Sequence, residues 1–134
     1  MVGYKTYQNN QVEGAGPLGL VLLTYEALYK SLGQTRLAIH AGDLEAEARH
    51  TSRSMEALIE LSSSLNMEAG GQVSQGLSSL YAYMMNQLTG GLCSCSTDHV
   101  DEVMLLVQEL REGWLNLSAQ QHKTANLALV RNAA

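Results

Sequence analysis

Few side chains in this sequence could do chemistry. They are His40, His50, His99 and His122, the pair Cys93 and Cys95, and a scatter of Asp and Glu. Glu47-Ala-Arg-His50 has the Glu-x-x-His spacing that places a carboxylate and an imidazole on one helix face. Di-metal bundle enzymes need two such motifs and further inward glutamates. A second copy is missing, and the apolar stripe described below turns Glu47 and His50 away from the core. Cys93-Ser-Cys95 with His99 could form a metal or thiol patch. It lacks the two-residue spacer and the second ligand pair of a structural zinc site. One intervening residue leaves a mutual disulfide strained, and this cysteine usage fits a reducing compartment. Nothing resembles a Ser–His–Asp or Cys–His arrangement, and no G-x-x-x-x-G-K-S/T phosphate loop occurs. The histidines read as solvated surface groups, at a loop, an exposed helix face, a helix start and a tail. No cofactor is implied, and the sequence points away from an enzyme.

The composition narrows the remaining classes. Hydrophobic residues make up 46% of the 134, and charged residues only 16%, against roughly 25% in ordinary soluble domains. The core is ample and part of the surface is left uncharged. The net charge is −5, and the eight Lys and Arg are scattered. Without a basic stripe, binding to nucleic acid is disfavoured, as is docking on an anionic membrane. No stretch approaches the roughly 20 apolar residues of a membrane span. The opening MVGYKTYQNNQ lacks the apolar core of a signal peptide. A cytoplasmic protein is expected.

Glycines at 14, 16, 42, 70–71 and 90–91 punctuate four segments of helical periodicity. The first starts at Pro17, a residue suited to a first helical turn, with Leu18, Val21, Leu22, Tyr25, Tyr29 and Leu32 on one face. Gly42 suits its C-terminal cap. Asp43 suits the N-cap of the second, whose stripe is Leu44, Ala48, Thr51, Met55, Leu58, Ser62 and Leu65. Asn66 and Gly70–Gly71 end that segment. The third runs from about Gln72 to Leu88 on Val73, Leu77, Leu80, Met84 and Leu88. Gly76 lies inside it, where close helix packing would explain a glycine. The fourth opens near Thr97 or Asp98 and steps through Val100, Val103, Val107, Leu110, Trp114 and Leu117. The pattern then fades. Short connections favour antiparallel neighbours. The expected fold is all-α, an antiparallel four-helix bundle over 17–117, with an N-terminal cap segment at 1–16 and a mobile C-terminal tail at 118–134.

Apolar residues exceed what one narrow stripe per helix requires. Tyr4, Tyr7, Ile59, Tyr83, Met85, Met104 and Leu105 are candidates for partner contact; Met55, Leu80, Leu110 and Trp114 are assigned to the core. Methionine adapts to varied surfaces, and tyrosine offers a rigid apolar face with a polar tip. Together they suggest a groove for an amphipathic partner helix.

One further pattern is more specific. Leu65-Asn66-Met67-Glu68-Ala69-Gly70-Gly71 runs into Leu77 and Leu80-Tyr81-Ala82-Tyr83-Met84. It resembles the Leu-Asn-x-Glu-x-Gly-Gly and Leu-x-x-Leu-Tyr-x-Tyr-Met pattern of the flagellin export chaperone family FliS. Pro17 to Ala27 with Gly42-Asp43, and Leu106 to Trp114, resemble that family's first and last helices; Tyr4 and Tyr7 also fit. Cys93-Ser-Cys95 has no counterpart in the pattern. The resemblance implies a bacterial cytoplasmic chaperone that binds the C-terminal region of unassembled flagellin, one to one. It implies that the chaperone blocks premature polymerisation and delivers the subunit to the flagellar type III export apparatus, with export-gate components as further partners. Another flagellar client, an anti-regulatory role, or a metal- or thiol-dependent protein using Cys93, Cys95 and His99 are the alternatives.

Overall fold

The computed structural model describes the backbone of residues 2–133 and the side chains of residues 16–120 and Lys123. Four helices follow one another: α1 Val2–Ala41, α2 Leu44–Ser63, α3 Met67–Gly90 and α4 Asp98–Ala133. The all-α four-helix expectation is met. Each helix touches the next in sequence, and α4 returns to α1, so the four close a ring. Glu26 on α1 meets Arg111 on α4 at 2.9 Å, and Arg36 meets Asp101 at 3.4 Å. Ten residues onward along α1 thus pairs with ten residues back along α4, which makes the two antiparallel.

Local chemistry sets the ends. Gly42 has φ 69°. Its N–H donates to the Ile39 carbonyl at 3.1 Å, and that of Asp43 to the Ala38 carbonyl at 2.9 Å. This left-handed C-terminal motif favours a residue without Cβ. Asp43 caps α2 by accepting from Ala46 N–H at 3.0 Å. Asn66 does not end the second segment; it is the N-cap of α3, accepting from Ala69 N–H. α3 therefore begins at Met67, ahead of the expected Gln72, and is broken at Gly71 (φ 50°, ψ −126°), a backbone region that only glycine enters cheaply. α1 is likewise broken at Gly16 (φ 69°, ψ −173°), directly before Pro17. The backbone does not leave the helix at Leu117: α4 continues to Ala133, through Ala, Gln, Lys and Leu, with no proline or glycine to stop it.

The core is built of seven-residue seams, and two differ from those read off the sequence. On α1 the fully buried residues are Tyr25, Leu28, Leu32 and Thr35; Tyr29 is exposed. On α2 the seam is Glu47, Thr51, Ser54, Leu58 and Leu61, with Ala57 beside it. Leu44 and Ala48, placed on the stripe by sequence, face solvent. On α3 Ser74, Tyr81, Met84 and Leu88 are buried while Val73 is 71% exposed. The reason is common to both helices: polar side chains occupy seam positions, so an apolar count rotates the face by one residue. Their hydroxyls do not need partners from outside. Thr35 donates to Ser31 O, Ser54 to His50 O and Ser74 to Asn66 O, each at 3.0 Å. Small side chains are buried on both α1 (Thr35, Ala38) and α2 (Thr51, Ser54, Ala57), and the contact between these two helices is the most extensive in the bundle. The α4 seam of Val100, Val103 and Val107 lies where the periodicity puts it.

Candidate functional site

Across the interior, Tyr25 and Tyr81 join hydroxyl to hydroxyl at 2.5 Å, linking α1 to the diagonally opposite α3. Trp114 lies with its ring centre 6.5 Å from that of Tyr25. Burial, the largest cause, raises the pKa of both tyrosines. Both hydroxyls therefore stay protonated at neutral pH, and their bond joins the two helices across the interior.

Glu47 is not turned outward as the sequence stripe suggests; it is 3% exposed, and its Oε2 accepts the Cys93 N–H at 3.1 Å. His50 is half-buried rather than solvated. Its pKa is lowered, first by desolvation and then by the adjacent Arg49 and Arg53, with Asp43 opposing. His99 packs onto the backbone of Gly91, close enough that a Cβ there would lie 2.2 Å from the ring. His40 is exposed, and the side chain of His122 lies outside the described residues. Among the described residues no three His, Cys, Asp or Glu gather closely enough to hold a metal ion; Cys93 and Cys95 lie in the α3–α4 loop and His99 in the first turn of α4 without forming such a cluster.

Of the residues proposed for partner contact, three stand on the outside. Ile59 on α2 is 53% exposed, Tyr83 on α3 41% and Leu105 on α4 58%. Tyr83 donates its hydroxyl to Glu102, which anchors the ring over the seam between α3 and α4. Leu105 follows Glu102 by one helical turn and shares its face. The structure thus brings Tyr83 and Leu105 together, while Ile59 stands beyond α3 on the next helix round the ring. Met85 is partly buried against the core. Met104 is a correction: at 6% exposure it belongs to the core cluster, because α4 turns Val103, Met104 and Val107 inward together. Tyr4 and Tyr7 lie outside the described side chains. Met55, Leu80, Leu110 and Trp114 pack against the core as expected.

Sequence reasoning missed several exposed apolar residues. Val73 and Met67 flank the Gly71 break, and Leu115 and Leu117 continue the α4 surface. Leu37, Leu44 and Leu92 lie at or near the bundle end formed by the α1–α2 and α3–α4 connections. The signal available was their position off the true seams, which only becomes visible once the polar seam residues are recognised. α3 also makes less contact with its neighbours than α1 does. Exposed apolar side chains on α3 are Met67, Val73 and Tyr83.

The sequence is similar to those of known proteins. The family model described as flagellar protein FliS matches residues 1–121. The chain belongs to the FliS family. It is 25% identical to the flagellar secretion chaperone FliS of Vibrio cholerae over 88% of this chain and 87% of that protein. It is 28% identical to FliS of Campylobacter jejuni over 84% and 88%, and 29% identical to FliSB of Pseudomonas aeruginosa over 88% and 97%. The relatives are named as flagellar secretion chaperones. No helix among the described residues is long and apolar enough to cross a membrane.

Proposed function

We propose that this FliS-family chain binds the C-terminal region of unassembled flagellin in the cytosol, one to one. In this reading it keeps that region from polymerising and delivers it to the flagellar type III export apparatus, where export-gate components are further partners. The single observation that supports it best is the apolar surface left outside a completed core: Ile59, Tyr83 and Leu105 remain half-exposed on three adjoining helices. A client segment that is amphipathic and unpaired before assembly can bury its apolar face there. Ordering such a segment costs about 2–5 kcal/mol or more, which demands a wide, wrapped interface rather than one pocket. Residues 1–16, with Tyr4 and Tyr7, serve in this reading as a cap over part of that surface, with Gly16 as the pivot.

Titration calorimetry of the full chain with the flagellin C-terminal segment tests it. The expected result is one-to-one binding with a negative heat-capacity change. Absence of binding at tens of micromolar, with the protein folded, refutes it. Deleting residues 1–10 is expected to speed client association; an unchanged rate and affinity refutes the cap.

A further inference from the structure

The described part of the chain has two non-glycine residues at positive φ, and both are cysteines: Cys93 and Cys95, each at φ 62°. Cys93 follows Leu92 in a turn closed by Ser94 N–H donating to the Gly91 carbonyl at 3.2 Å. Its left-handed conformation is one that glycine adopts without steric cost and a residue with a Cβ does not. At both positions the chain carries a thiol instead. Both cysteines are free and exposed. The loop is also tethered, because the buried Glu47 carboxylate on α2 accepts the Cys93 N–H and His99 of α4 packs on Gly91.

We infer that Cys93 and Cys95 form a reversible redox site, a vicinal dithiol that closes to an intramolecular disulfide when met by a small disulfide oxidant of the glutathione type. One thiolate attacks a sulfur of the oxidant, forming a mixed disulfide and releasing one small thiol. The second thiolate then attacks the protein sulfur of that mixed disulfide and expels the other small thiol. Two protein thiols are oxidised and one small disulfide is reduced to two thiols. Closure across one residue is favoured by proximity, and the strain of so small a ring makes the bond easy to reduce again. This is the behaviour of a switch rather than of a structural crosslink. The tether to Glu47 and the contact with His99 couple the loop to the first turns of α2 and α4.

The full-length protein, treated with oxidised glutathione and analysed intact under non-reducing conditions, tests the site. The expected product is a monomer lighter by two hydrogen atoms, with both thiols lost and restored by a reductant. Cys95→Gly, which suits the positive φ, is expected to stop at one glutathione adduct. Stable adducts on both cysteines, a disulfide-linked dimer, or thiols that remain free each overturn the proposal. Amide hydrogen exchange in the first turn of α2 is expected to rise on oxidation of the wild type and not of Cys95→Gly. Unchanged exchange removes the coupling to Glu47.

Discussion

Replacing Tyr25 or Tyr81 by phenylalanine removes one oxygen from the centre of the bundle and leaves the rings in place. The two hydroxyls meet at 2.5 Å in residues that are 0% and 1% exposed. Loss of one partner strands the other away from water, at a cost of about 1–3 kcal/mol. Each single change strands one buried hydroxyl and is expected to cost about 2 kcal/mol. In the double variant neither hydroxyl remains to be stranded. Its cost should be well below the sum, giving a coupling energy of about 1–2 kcal/mol. Urea unfolding of the four proteins, followed by far-ultraviolet circular dichroism and by the fluorescence of the single tryptophan, measures the cycle; midpoints should move while the slope stays constant. If the single costs add to the double within about 0.5 kcal/mol, the pair is not coupled and the account of the interior is wrong.

The same pair sets the alkaline behaviour. Burial raises both folded-state pKa values, so above the ordinary tyrosine range near pH 10 the unfolded chain loses protons that the folded chain keeps. Stability is complete below that range and falls as pH rises through it; the Tyr25→Phe/Tyr81→Phe variant should fall less steeply in denaturant titrations between neutral and strongly alkaline pH. His50 acts at the other end. Its folded pKa is lowered, so stability falls as pH drops below the ordinary value near 6.5, and an NMR titration should place its midpoint below that ordinary value. Two helix glycines should respond with opposite signs in thermal unfolding. Gly71→Ala forces a Cβ into a glycine-only conformation and costs about 1–3 kcal/mol. Gly76→Ala, with open space around the added Cβ, stabilises by up to about 1 kcal/mol.

The fold was legible because its strongest signals are local. Asp43 and Gly42 mark a turn whose capping chemistry is unambiguous, and the Val100–Val103–Val107 seam is apolar throughout. The seams of α2 and α3 were not legible. Ser54 donates to a carbonyl of the preceding helical turn and Ser74 to that of Asn66, and Glu47 finds a backbone N–H from a loop far along the chain. No periodic count of apolar residues reveals such burial. The same hidden rotation explains why Met104, which looked surplus, fills the interior, and why Val73, which looked structural, faces water. Gly76 shows the converse: its place in a helix suggested close packing, yet no neighbour approaches it. Ile59, Tyr83 and Leu105 were readable because each lies off its stripe in either assignment.

That outer surface is the centre of the account, and one binding comparison reaches it directly. Substituting Ile59, Tyr83 and Leu105 together by serine removes side chains already largely in water, so the thermal midpoint should shift by only a few degrees. Each would otherwise bury roughly half of its apolar area again on binding, worth about 1 kcal/mol. Three such losses weaken affinity for the flagellin C-terminal segment by roughly a hundredfold. A triple variant that folds normally and binds the client as tightly as the parent chain would contradict the proposed docking surface.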